Sequence, residues 1–142
     1  MKILLTGATG YIGKRLLPVL VSQGHQVICC VRDKDRFDIS GFDSTRVSVV
    51  EVNFLKEDSL KNIPVDIDVA YYHIHSMSAS VGDFEQLEKR TAENFRNRID
   101  RSKARQVIYL SGIINEEKLS KHLSSRKAVE LILAEGKYHL TT

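Results

Sequence analysis

The residues best suited to chemistry stand near the start of the chain, where Thr6-Gly7-Ala8-Thr9-Gly10-Tyr11-Ile12-Gly13 follows the apolar run Ile3-Leu4-Leu5. Three glycines spaced three apart, after a strand and before a helix, suit one task. The first permits a tight turn out of the strand, the second lets the backbone come close to a pyrophosphate, and the third lets the helix pack near the sheet. The first N–H groups of the helix then face the phosphates, aided by the positive end of the helix dipole. Without that setting the same glycines would serve turn geometry alone; within a strand-helix-strand unit they form a dinucleotide cradle. A second determinant belongs about 20 residues further on, where an acidic residue would hold the ribose hydroxyls of NAD. This chain has Val31-Arg32-Asp33 there. The Arg32 guanidinium suits a 2′-phosphate through paired charge-assisted hydrogen bonds, so NADP is the expected cofactor, with NAD the alternative that Asp33 keeps open.

Strands and helices must alternate to hold such a turn. Strand-length apolar runs are expected at about 2–6, 26–31, 46–52, 67–74, 106–111 and 138–142; they are rich in Val, Ile and Leu, as strands covered on both faces should be. A helix is predicted from Tyr11 to Gln23, with Ile12, Leu16, Leu20 and Val21 on one face, Pro18 giving a slight kink and Gly24 ending it. A longer one is predicted from Asp83, its cap, to Lys103, where Phe84, Leu87, Thr91, Phe95 and Ile99 keep a helical spacing. The last runs from Ser120 to Glu135 and stops at Gly136. The pattern is that of a doubly wound α/β parallel sheet, the NAD(P)-binding Rossmann fold, and the 142 residues are expected to form one such domain that stops at a sixth strand, with the substrate lobe largely absent.

Composition fits a soluble domain: 42% hydrophobic and 27% charged residues, with no apolar run near the ~18 that a membrane helix needs. No leader-like segment opens the chain, so a cytoplasmic location and no membrane partner are expected. A net charge of +3 is too small to argue for nucleic acid. The seven basic residues between Lys89 and Arg105 read as a solvated helix face with cations near its C-terminus. Adjacent Cys29 and Cys30 match neither a disulfide nor a metal spacing and are expected to be small buried thiols. His73 and His75 would point to one side of a strand, but no carboxylate or cysteine is suitably spaced to complete a metal site.

The Thr-Gly-x-x-Gly-x-x-Gly turn, Arg32, the run Tyr71-Tyr72-His73-Ile74-His75-Ser76-Met77 and the run Tyr109-Leu110-Ser111-Gly112 together resemble atypical short-chain dehydrogenase/reductases. Within these the chain is similar to the NmrA-like NAD(P)-binding proteins often labelled nucleoside-diphosphate-sugar epimerases. The resemblance implies pyrophosphate contacts at Gly7, Thr9, Gly10, Tyr11, Ile12 and Gly13, and an adenosine ribose contact at Arg32. It further implies cofactor contacts at His73, His75 and Ser76, and Ser111 beside the nicotinamide. One departure stands out: such enzymes carry Tyr-x-x-x-Lys, in which lysine lowers the tyrosine pKa, and no tyrosine here is followed by lysine four residues later. In its place are His122 and Arg126, one helical turn apart, with His122 able to move a proton near neutrality. Two readings follow, an oxidoreductase or epimerase-like enzyme using Ser111, His122 and Arg126 on an unidentified small molecule, and a non-catalytic NADP(H) sensor. Either is compatible with a homo-oligomer.

Overall fold

The computed structural model describes residues 1–74, 84–111 and 121–142, the side chains of residues 121–123 apart. Six strands, β1 (Lys2–Leu5), β2 (Gln26–Val31), β3 (Val47–Glu51), β4 (Val69–Tyr72), β5 (Gln106–Tyr109) and β6 (His139–Thr141), pair in parallel in the order β3-β2-β1-β4-β5-β6. The order reverses between β1 and β4, and ligands of such sheets bind at the carboxyl ends of the strands beside that reversal. The predicted doubly wound parallel sheet is therefore borne out, with each strand a little shorter than or equal to its predicted span.

Apolar side chains alternate to the two faces of the sheet and build two cores. On one face Leu4, Ile28, Cys30, Tyr72, Val107 and Tyr109 meet Phe95 and Ile99 of α3 (Phe84–Asp100) and Val129 and Leu133 of α4 (Lys121–Ala134). Tyr72 sits edge-on to Phe95 at 4.8 Å and to Tyr109 at 5.6 Å between ring centroids, offset geometries that aromatic pairs favour. On the other face Ile3, Leu5, Val27, Cys29 and Val31 meet Leu17 and Leu20 of α1 (Tyr11–Ser22). Both cysteines are buried free thiols, as expected, and burial pushes the Cys29 thiol up to about 12.

α1 ends as its sequence predicts. Gly24, at φ +85°, follows the last turn, its N–H donates to the Val21 carbonyl at 3.0 Å, and the His25 N–H donates to the Leu20 carbonyl at 3.2 Å. This is the paired closure that a left-handed glycine permits. The predicted inward face of α1 needs correction. Gly13, Leu17 and Leu20 are its buried residues, Leu16 and Val21 flank them, and Ile12 is exposed. Gly13 packs against the backbone of Gly7 and Ala8, and this contact sets the rotation of the helix. The helix runs on through the exposed Pro18. Two short segments were not foreseen, a 3-10 turn at Lys34–Arg36 and α2 (Glu57–Leu60), because four residues or fewer carry no helical periodicity to read. The predicted cap Asp83 lies outside the described residues.

Candidate functional site

Thr6, fully buried at the end of β1, ties the two central strands together. Its hydroxyl donates to the Tyr71 carbonyl at 2.7 Å and accepts the His73 N–H at 3.0 Å, while its own N–H donates to the Tyr71 carbonyl at 3.2 Å. The turn after β1 is thereby held against the end of β4, beside the reversal of strand order. Gly7 follows at φ +66°, and a Cβ there would run into the carbonyl of His73. The Gly10 N–H closes the turn on the Gly7 carbonyl at 3.0 Å.

The three glycines divide their work as the spacing implies. Gly7 and Gly13 are required by the protein's own backbone, since a Cβ on Gly13 would collide with the Gly7 carbonyl. Gly10 is different. A Cβ there would meet only the Gly7 carbonyl oxygen, at 3.4 Å, and otherwise open space, so its missing side chain leaves room for an incoming group. Among the described residues no side chain caps α1, and no acidic residue occupies its first turn. Its leading N–H groups, from Tyr11 to Gly13, precede the helix ladder, which begins with Lys14 N–H donating to the Gly10 carbonyl at 3.0 Å, and such first-turn donors suit an external anion. A pyrophosphate fits this cradle. Tyr11 and Ile12 are exposed beside it, and Arg15 lies over the Tyr11 ring at 3.5 Å.

At the end of β2, Arg32 is exposed and Asp33 is committed to its own loop. The Asp33 carboxylate accepts the Asp35 N–H at 3.0 Å, capping the 3-10 turn, and pairs with Arg36 Nε at 3.5 Å. That turn carries Arg36 to a cavity of about 350 Å³, lined by Thr9, Lys14 and Leu17 on one side and by Arg36, Phe37 and Phe42 on the other. Asp38 lines it as well, its carboxylate accepting the Ser40 N–H at 2.9 Å. Lys14 and Arg36 were missed by sequence reasoning. The available signal was a lysine next to the last glycine of the turn and an arginine three residues after a capping aspartate.

Of the residues expected after β4, His73 is in place against Gly7, its ring stacked on Tyr71 at 5.7 Å between centroids; His75 and Ser76 lie outside the described residues. After β5, Ser111 is half-buried at the same edge of the sheet. Arg126 is half-buried on α4, where its carbonyl accepts the Tyr109 hydroxyl at 3.3 Å. The side chain of His122 lies outside the described residues. The strand tyrosines are poor proton donors and acceptors at neutral pH: burial pushes Tyr109 up to about 12, against a partial lowering by Arg126, and pushes the Tyr72 phenol well up.

A family model described as NAD(P)H-binding matches residues 7–140. The chain belongs to the NAD(P)H-binding family. Solved structures with the same fold include an NADP(H) complex of triphenylmethane reductase from Citrobacter sp., 18% identical with a TM-score of 0.80, covering 99% of this chain and 47% of that one. A nucleoside-diphosphate-sugar epimerase from Staphylococcus aureus is 17% identical with a TM-score of 0.78, covering 99% and 48%. An NADPH-dependent quinone oxidoreductase from Escherichia coli, complexed with NADPH, is 18% identical with a TM-score of 0.77, covering 97% and 46%. Among curated proteins, the hybrid PKS-NRPS synthetase pvhA of Talaromyces variabilis is 35% identical over 80 residues, which are 54% of this chain and 2% of that protein. This NAD(P)H-binding chain thus spans about half the length of the solved structures it resembles. Among the described residues, no helix is long and apolar enough to cross a membrane.

Proposed function

We propose that the chain is the NADP(H)-binding part of an NmrA-like, atypical short-chain dehydrogenase/reductase, an oxidoreductase or sugar-nucleotide epimerase-like protein in which NADPH is preferred to NADH. The observation that carries the preference is the pairing of Lys14 and Arg36 around one cavity next to Thr9, with Asp33 turned away into its own loop. An aspartate free to accept from a ribose hydroxyl would favour NAD; the Asp33 carboxylate is already bonded to Asp35 and Arg36, and the cavity sets Lys14 and Arg36 against the one carboxylate of Asp38, itself bonded to the Ser40 N–H. Arg32, exposed at the strand end, adds a third cation.

When bound, the nicotinamide supplies the hydride chemistry. The chain's own part is to hold the pyrophosphate on the first N–H groups of α1 and to orient the ring past Ser111 at the carboxyl edge of the sheet. His122 is the candidate proton carrier, with Arg126 one helical turn away. The substrate is an unidentified small molecule, and the single domain, an oligomeric assembly and a cytoplasmic location belong to the same reading. The free buried thiols suit a reducing compartment.

Titration calorimetry with NADPH and NADH tests the preference. NADPH should bind about tenfold to a hundredfold more tightly, and Arg36→Ala should bring it to the NADH level; equal or tighter binding of NADH overturns the reading. The second reading, a non-catalytic sensor, is supported by the missing Tyr-x-x-x-Lys pair and by the buried, proton-retaining Tyr72 and Tyr109. Turnover of a carbonyl or sugar-nucleotide substrate that is lost in His122→Ala identifies the enzyme. Binding of oxidised and reduced cofactor alike, without turnover by the full-length protein, identifies the sensor.

A further inference from the structure

A cavity of about 210 Å³ lies between α2 and the second half of α3. Because α3 connects the carboxyl end of β4 to the amino end of β5, its last turns stand at the opposite edge of the sheet from the glycine turn. Asn94, Asn97, Arg98 and Arg101 form one stripe on α3, at helical spacings of three and four, and face Glu57 and Lys61 across the cavity.

Three observations set this seam apart. Asn94 is only 8% exposed, and its amide is fixed by donation to the Phe54 carbonyl. Arg98 is anchored through one guanidinium nitrogen to the Ile63 carbonyl, while its Nε is buried with no acceptor among the described residues. Lys61, Arg98 and Arg101 have no carboxylate within ion-pair distance among the described residues, although cations elsewhere do, as in Lys2 with Asp66 and Arg96 with Glu135. Cations at a helix carboxyl end offset its dipole. That accounts for their sign but not for the gathering of three cations around one cavity with no ion-pair partner among the described residues. The Arg98 and Ile99 carbonyls that would repel an anion are already taken by the Arg101 and Ser102 N–H groups.

We propose that this seam is a second anion site, distinct from the dinucleotide cradle, that takes a phosphate group. Three cations against one carboxylate leave a positive field, and the lining carries guanidinium, ammonium and amide groups, the donors that phosphate oxygens accept from. The volume is below the range typical of drug-sized ligands, so the occupant is either free phosphate or the phosphate end of a small hydroxylated molecule, whose hydroxyl Glu57 would accept.

The test is an NMR titration of the isotopically labelled chain with inorganic phosphate and with glycerol 3-phosphate, against chloride at matched ionic strength. Saturable shifts are expected at the amides of residues 57–61 and 94–101, with affinity falling about tenfold in the double variant Lys61→Ala, Arg101→Ala. Both substituted residues are exposed, so the fold is retained. Tighter binding of phosphate assigns the site to the free ion, and tighter binding of glycerol 3-phosphate to a carried phosphate. The proposal is overturned if these resonances do not move, if chloride moves them equally, or if the double variant binds unchanged. Shifts at residues 7–13 report on the cradle separately, so failure of one site leaves the other readable.

Discussion

Gly10 and Gly13 are three residues apart in one turn, yet replacing them should break different things. At Gly10 a methyl group enters open space, so Gly10→Ala should change stability by less than about 1 kcal/mol while weakening NADPH binding about tenfold or more by blocking the approach of the pyrophosphate. At Gly13 the methyl meets the Gly7 carbonyl, and Gly13→Ala should lower unfolding stability by about 1–3 kcal/mol. Urea titration beside calorimetry separates the two; equal effects on both quantities in both variants would refute the division of roles. Thr6→Val keeps the shape but deprives the His73 N–H of its acceptor, at a cost of about 1–3 kcal/mol measurable in the same urea experiment. The glycines were legible in the sequence because their task is set by local backbone geometry within eight residues. Lys14 and Arg36 were not, because they meet only after Asp33 has capped the next turn and the loop carrying Phe37 and Phe42 has folded back towards α1.

At the scale of elements, α1 shows what periodicity can and cannot decide. The helix, its start and its glycine stop were readable from spacing alone, but a stripe of apolar residues fixes rotation only to within a residue or so. Contact between Gly13 and the strand turn settles it, turning Leu17 in and Ile12 out. Leu17→Ala should therefore cost about 2–5 kcal/mol and Ile12→Ala under about 0.5 kcal/mol, and comparable losses from the two in urea unfolding would contradict this rotation. The strands were legible because both faces of the sheet are covered and their sequences read as continuous apolar runs; β2, buried at five of its six positions, is the clearest. The catalytic candidates were only partly placed. Ser111 and Arg126 come from different elements, and only tertiary packing relates them.

The molecule buries several weak acids in its two cores, and this makes its stability depend on pH at the alkaline end. Cys29 and Tyr109 are each pushed up to about 12 from ordinary values of 9.0 and 10.0, and Cys30 and Tyr72 are raised as well, burial being the first cause in every case. In the unfolded chain these groups release their protons from about pH 9 upward, while in the folded chain Cys29 and Tyr109 keep theirs to about pH 12 and Cys30 and Tyr72 hold theirs above their ordinary values. Over that window the native state binds more protons, so stability falls as pH rises and is fully retained below it. The urea midpoint should be flat up to about pH 8 and decline steadily by about pH 11; a flat profile throughout would mean that these groups are open to solvent. The two thiols also have a use that depends on their adjacency. Neighbours on one strand point to opposite faces, so Cys29 belongs to the core under α1 and Cys30 to the core under α3 and α4. A thiol-modifying reagent reaches a buried cysteine only during transient openings. Chains retaining one cysteine each, Cys30→Ala and Cys29→Ala, therefore clock the breathing of the two layers separately, and dinucleotide clamped to the start of α1 should slow the labelling of Cys29 more than that of Cys30.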